Sequence, residues 1–417
     1  MIHTLFIQNF LSIGNAQTLS FEATSDKNGL DDLTVEVRPG VRLLRLILFF
    51  GANASGKSNI LKAIDTLWKM MFYPQIEEHN LIGLYTPFAT HSNEPTVLGM
   101  TFWAMGRKFK YTLEYDEKEV ISEQLMYTTD SGVMSKLYER SREKGITLGG
   151  TVAAKAQERN NLKAYTLRNH TVLSTFNKLN IDIPILKSLH EWIGQCVHQS
   201  DSHDNVKAIA KEAMENPELK SLIIRMLNKA DFNISDFDIV KTHVAIPYAL
   251  CESMPDEELL QRIRREQYSG NELIFTHTTD DSTFRISSNF ESRGTLMYFR
   301  LAHMLYDLRH NESICIKDEI EDSLHYDLLV HYLKLFLETE SRNQLICSSH
   351  TLPLLSEEWM IRRDMIWFTE KNAHTSETEI RNASTYGLHK NVSLENAYRI
   401  GKMGAQPNIG STLIWGE

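Results

Sequence analysis

The stretch GANASGKSN, Gly51 to Asn59, decides how this chain is read, because it fits the pattern G-x-x-x-x-G-K-[ST] as Gly51, Gly56, Lys57 and Ser58. The run before it, Leu43 to Phe50, is apolar apart from Arg45 and has the length of a buried strand. The run after it, Asn59 to Met71, places Ile60, Leu61, Ile64, Leu67, Trp68 and Met71 on one helical face. Strand, glycine-rich loop and helix in that order are the context a phosphate-binding loop needs, which a plain glycine turn lacks. The glycines let the backbone fold back so that its N–H groups line an anion nest, and the helix adds its positive N-terminal end. The phosphate-contacting set is therefore Gly51, Asn53, Ala54, Ser55, Gly56, Lys57, Ser58 and Asn59. Lys57 is expected to reach the β- and γ-phosphates, and the Ser58 hydroxyl to ligate Mg²⁺.

Downstream, Ser313-Ile314-Cys315-Ile316-Lys317-Asp318-Glu319 reads as a buried strand ending in two carboxylates. This is the Walker B arrangement, with Asp318 placed to hold Mg²⁺ and Glu319 to polarise the attacking water. Glu321-Asp322-Ser323-Leu324-His325 then connects to a helix over 327–337, and Gln344 to Ser349 forms a short strand ending on His350. A lone histidine is more often structural. One strand after the carboxylate pair, however, His350 is suited to bonding a γ-phosphate or the attacking water, and it reads as catalytic together with Glu319. Upstream of that strand, Phe290-Glu291-Ser292-Arg293-Gly294-Thr295 precedes a helix bearing Met297, Leu301, Met304, Leu305 and Leu308. Ser292 and Gly294 at a helix mouth offer N–H groups and a hydroxyl to an anion.

The chain of 417 residues has room for two or three domain-sized units. Its net charge of −10 argues against a surface that coats nucleic acid, so any such contact has to be local. The one local basic excess lies in 131–170, with eight Lys/Arg against three Glu; sparse in aromatics, it reads first as a solvated helical face, with DNA or RNA contact as the functional alternative. Asp236-x-Asp238 resembles a metal-binding pair but has no third ligand nearby, and it reads as a turn-to-strand segment. Cys196, Cys251, Cys315 and Cys347 show no C-x-x-C spacing, which points to a reducing, cytoplasmic setting. No signal-peptide pattern opens the chain and no run of about 18 apolar residues occurs, so no membrane partner is expected. Residues 2–24 suggest two short strands around Ser12 to Asn15, leading the sheet that the phosphate loop joins. Val97 to Trp103 and Lys108 to Tyr115 suggest a hairpin.

With these residues in hand, the chain resembles ABC-type ATPase heads of the SMC and RecF kind. More closely, it resembles the bacterial ATPases related to the OLD (overcoming lysogenization defect) and PtuA or RloA proteins of phage-defence operons. The resemblance rests on Ile7-Gln8-Asn9-Phe10-Leu11-Ser12, GANASGKSN, FESRGT, DEIEDSLH, the CSSH segment ending at His350 and the closing Tyr398 to Pro407. It implies an α/β, two-lobed head made from residues 1–125 and 269–417, with a largely helical insertion at 126–268. It implies ATP and Mg²⁺ as cofactors and a homodimer or higher oligomer in which Ser292 and Gly294 touch the γ-phosphate held by Lys57 of a second copy. Asp322 to His325 becomes the D-loop and His350 the switch histidine. Only Gln124, by location, offers itself for the Q-loop. OLD proteins carry a Toprim nuclease domain after the ATPase, for which 417 residues leave no room here, so an operon-encoded effector such as a nuclease is the expected partner. The alternative is a RecF-like repair or recombination ATPase that clamps DNA directly through Lys155, Arg159 and Lys163; a transporter ATPase subunit would need a membrane partner.

Overall fold

A computed structural model describes residues 1–27, 30–74, 80–198, 205–243, 269–340, 342–389 and 392–406. The chain forms two compact units, one of Met1–Ser200, Leu308–Glu321 and Leu333–Glu417, the other of Asp201–Asp307 and Asp322–Tyr332.

In the first unit, the apolar run around Phe49 divides at Arg45. Before it lies β4 (Val41–Leu44), paired antiparallel with β3 (Thr34–Arg38); after it, β5 (Leu46–Gly51) is buried along its whole length. A guanidinium cannot be left unpaired inside a core, and Arg45 donates to the carbonyls of Leu337 (2.7 Å) and Phe336 (3.1 Å), to Thr339 Oγ1 (2.7 Å) and to Asn343 Oδ1 (2.9 Å). A strand buried on both faces belongs inside a parallel sheet. Accordingly β5 pairs in parallel with β16 (Gln344–Ser348) on one side and β17 (Ile366–Lys371) on the other. The full order is β11 (Val197–His198), β15 (Ile314–Lys317), β16, β5, β17 and β18 (Thr378–Asn382), with only β18 antiparallel.

The opening strands β1 (Ile2–Gln8) and β2 (Gln17–Ser20) form as the alternation suggests, but they do not lead the phosphate-loop sheet. They close a separate seven-stranded antiparallel sheet ordered β10-β9-β8-β7-β6-β1-β2, from β6 (Thr96–Ala104), β7 (Arg107–Tyr115), β8 (Val120–Thr128), β9 (Met134–Ser141) and β10 (Gly145–Leu148). Half-buried alternating strands pair antiparallel with one another, not with a core strand such as β5. The β6–β7 hairpin turns on Met105 and Gly106, both at positive φ, as a two-residue turn requires. Helix α2 (Lys57–Phe72) packs on β5 and β16 and, through Trp68 against Phe102 (5.9 Å between rings), on β6 of the other sheet.

The boundary expected at residue 126 falls inside β8, and the segment from 126 to 148 extends a sheet before helices begin. These are α3 (Ala156–Tyr165), α4 (Val172–Phe176) and α5 (Pro184–Cys196). In the second unit, α6 (Val206–Glu215) and α7 (Pro217–Lys229) pack on β12 (Ile234–His243). That strand pairs antiparallel with β13 (Ser269–Thr278), and β13 with β14 (Thr283–Ser287). The boundary expected at 268 thus separates two paired strands. Residues 244–268, Cys251 among them, lie outside the described residues. Phe237, Phe275 and Phe299 of α8 (Arg293–His310) form an edge-to-face cluster with ring distances of 5.0 and 5.5 Å. No helix among the described residues is long and apolar enough to cross a membrane.

Candidate nucleotide site

Parallel pairing places the C-terminal ends of β5, β16 and β15 side by side, and each end carries one of the motifs read from the sequence. The loop after β5 turns through Ala54 (φ 61°) and Gly56 (φ 107°) into α2. A Cβ at Gly56 would meet Thr378 Oγ1 at 2.2 Å, so glycine is required there by conformation and by space. Thr378 Oγ1 donates to the Ser55 carbonyl (2.9 Å) and contacts Ser12 Oγ (2.7 Å), which accepts from Asn59 Nδ2 (2.7 Å). Ser55 Oγ in turn contacts Thr369 Oγ1 at 2.6 Å. Ser12, Thr369 and Thr378 thereby hold the loop from outside it.

Lys57 is buried, and its Nζ donates to the carbonyls of Gly51 (2.9 Å) and Ala52 (3.0 Å). Burial pulls its ammonium below the usual range, while the charges of Asp318, Glu319 and Glu321 push it back up. At the end of β15, Ser348 of β16 holds the Asp318 carboxylate and the Glu319 main chain. Its hydroxyl accepts from the Glu319 N–H (2.8 Å) and donates to Asp318 Oδ1. Glu319 sits at φ 46°, a conformation a non-glycine residue adopts only when its surroundings impose it. His350 follows β16, its Nε2 3.7 Å from Glu319 Oε1, and its backbone N–H donates to Glu321 Oε1.

A cleft of about 810 Å³ opens over Phe50 to Ser55 and is shared by Ser349, His350, the β17–β18 turn, Tyr398 and Gln406, a size suited to a nucleotide. The closing segment is anchored there, with the Ala405 carbonyl accepting from both the Ala52 N–H (2.9 Å) and the Tyr398 hydroxyl (2.8 Å). Pro407 lies outside the described residues.

The family model described as "AAA domain, putative AbiEii toxin, Type IV TA system" matches residues 46–357. The chain belongs to that AAA family. Solved structures with which it aligns include the SMC head domain from Thermotoga maritima (13% identity, 91% of this chain and 98% of that one, TM-score 0.39). Another is the SmcHead bound to the C-winged helix domain of ScpA (12% identity, 95% and 99% covered, TM-score 0.41). No curated protein matches the sequence.

Membership of the AAA family, with the loop and carboxylates as described, supports nucleotide binding and hydrolysis. The residues of this AAA domain also fit Mg²⁺. The Ser58 hydroxyl and Asp318 carboxylate are hard oxygen donors, and at the same strand end the buried Oε2 of Glu321 has no hydrogen-bond partner among the described residues.

Other candidates fall elsewhere. Ser292 and Gly294 belong to the second unit, where Ser292 Oγ accepts from the Thr295 N–H (3.0 Å) and caps α8. A Cβ at Gly294 would approach the Ser323 carbonyl to 2.9 Å. In the segment expected to be the D-loop, Ser323 Oγ donates to Asp322 Oδ1 (3.0 Å) and His325 Nδ1 lies 3.4 Å from Asp327 Oδ2. Gln124 is mid-strand in β8, opposite Thr112 and Glu139, and not in a loop.

Asp236 pairs with Lys220 (2.7 Å), and Asp238 lies 3.9 Å from Arg285. In the 131–170 run, Arg140 is spent on the carbonyls of Leu167, Arg168 and His170, Lys136 on Glu139, Arg142 on Glu119, and Arg159 on the carbonyls of Val152 and Ala154. That basic run is therefore partly sheet, and four of its eight basic side chains are engaged internally.

Sequence reasoning missed Ser348, Glu321, Thr369 and Thr378. The first two stand inside quoted motifs but were given no part. The threonines lie more than 300 residues from the loop they brace, with no local signal.

Proposed function

We propose that this chain hydrolyses ATP with Mg²⁺ as a head-to-head dimer and serves as the sensor or switch subunit of an antiphage system whose damage is done by a separate nuclease or other toxic effector. The observation that carries the hydrolytic part is the buried Lys57 ammonium at the start of α2, directly after the glycine loop, under the combined charge of Asp318, Glu319 and Glu321. Lys57 neutralises the β- and γ-phosphates, Ser58 and Asp318 would hold Mg²⁺, which would supply further charge neutralisation there, and Glu319 orients and deprotonates water, with His350 beside it. Ser292 and Gly294 complete the site from a second copy.

ATP binding and hydrolysis give a partner protein two states to distinguish. Moving such a switch from 1:99 to 99:1 takes about 5.5 kcal/mol of differential binding. The family description, with its toxin and toxin–antitoxin system, suits a two-component defence role. Asp236 and Asp238, paired with Lys220 and Arg285, offer no independent nuclease centre. The test is to purify the chain alone and with the products of its neighbouring genes, then assay ATP turnover and Mg²⁺-dependent cleavage of DNA and RNA. ATP turnover by the lone chain with cleavage only in the mixture is expected. Cleavage by the lone chain, lost in Asp236→Ala or Asp238→Ala, overturns the switch reading.

A further inference from the structure

In the hydrolytic scheme above Glu321 contributes only its charge and contacts no phosphate or attacking water, yet it is built into the same strand end. The chain from Asp318 to Glu321 is pinned back onto β16, because the Ile320 N–H donates to the Ser348 carbonyl (3.1 Å) just as the Glu319 N–H donates to the Ser348 hydroxyl. This turn delivers the Glu321 carboxylate to the main chain of His350, whose N–H donates to Oε1. The other oxygen, Oε2, is buried and has no hydrogen-bond partner among the described residues. A buried carboxylate oxygen without a donor is costly, and such groups in native proteins call for a reason. The carboxylate also acts on its surroundings, since its charge reaches both the Lys57 ammonium and the buried Cys347 thiol, which burial pushes up.

We propose that Glu321 is a positioning residue for the hydrolytic site: Oε1 fixes the main chain that carries His350, and Oε2 is the acceptor kept for a donor that arrives with the nucleotide, a water of the Mg²⁺ hydration shell. This rests on the ATP-hydrolysing reading. Glu321 touches no reacting atom in this scheme. It acts through His350 on one side and through the metal's water on the other, as outer-shell carboxylates do at metal sites.

The two oxygens are separable by substitution in the full chain. Glu321→Gln is isosteric and keeps one oxygen for the His350 N–H while replacing the second acceptor by a donor; Glu321→Ala removes both. Hydrogen exchange at the His350 amide, measured without nucleotide, is expected to be as slow in Glu321→Gln as in the wild type and clearly faster in Glu321→Ala. Mn²⁺ affinity, read by paramagnetic resonance with a non-hydrolysable ATP analogue present, is expected to fall tenfold or more in both variants, the scale of outer-shell substitutions. Metal-free ATP affinity is expected to stay unchanged, because Lys57 and the loop supply it. Wild-type exchange at His350 in Glu321→Ala, or wild-type Mn²⁺ affinity in Glu321→Gln, overturns the proposal. Failure of the underlying reading shows differently. In that case the wild-type chain itself neither binds ATP nor turns it over, while the exchange experiment still reports on Oε1.

Discussion

His350 Nε2 lies 3.7 Å from Glu319 Oε1, at the adjacent ends of β16 and β15. The two side chains are separated by 31 positions in sequence but by one strand spacing in the sheet, and both remain partly exposed toward solvent. That pairing sets a carboxylate beside an imidazole; in the proposed mechanism one water bridges them to a phosphate, which frames the first prediction.

Lys57→Ala is expected to abolish measurable ATP binding, since the loop loses its buried cation. Glu319→Gln is expected to keep ATP affinity while turnover falls by roughly 10²-fold or more, the contribution of a positioned general base. Equilibrium binding and single-turnover kinetics on both variants check this. Wild-type turnover in Glu319→Gln would remove Glu319 from its role.

If Ser292 and Gly294 serve the phosphate of a second copy, defects in the two halves complement. Ser292→Arg and Lys57→Ala are each expected to be inactive alone, and an equimolar mixture is expected to regain part of the wild-type rate through one intact composite site. A mixture as inactive as its components excludes action in trans.

Acid is expected to destabilise the first unit through His190. This side chain of α5 stacks on Phe72 (4.6 Å, 17° between planes), and burial holds its imidazole below the usual histidine value. The unfolded chain therefore takes up the proton first. The stability that neutral His190 contributes is complete above about pH 6.5 and is lost as pH falls through the lowered folded value. His190→Phe keeps the stack and removes the proton site. Urea unfolding at a series of pH values is expected to show a smaller loss of stability below neutrality in this variant than in the wild type.

Arg45→Ala is expected to cost about 3 kcal/mol or more in urea unfolding, because the guanidinium leaves behind the carbonyls of Leu337 and Phe336 and the oxygens of Thr339 and Asn343. Burial already brings its pKa down to about 10, which marks how closely the protein encloses it. A change within experimental error would show that these acceptors find water instead.

The chain's local chemistry was readable in order. An apolar run interrupted at Arg45, a glycine loop and an amphipathic helix meant β5, the loop and α2, and all six residues expected on the buried face of that helix are buried. The turn at Met105 and Gly106 and the strand ending at Asp318 were equally local, each set by side-chain periodicity and by where the backbone can turn. Arg45 shows the limit of that reading. One charged residue in an apolar run looked tolerable, but it ends one strand and begins another, because its acceptors lie almost 300 positions away. Sheet membership was likewise hidden, since β1 and β2 find β6 rather than β5, and alternation states only that one face is buried, not against what. The sequence by itself determined which residues have the chemistry to hold phosphate, metal and water. Only the tertiary structure decided that Ser348 holds the Asp318 carboxylate and the main chain of Glu319, that Thr369 and Thr378 brace the loop, and that Glu321 turns back to His350. Those contacts arise from the order in which parallel strands lie side by side, and long-range pairing leaves no mark on the sequence around any one of them.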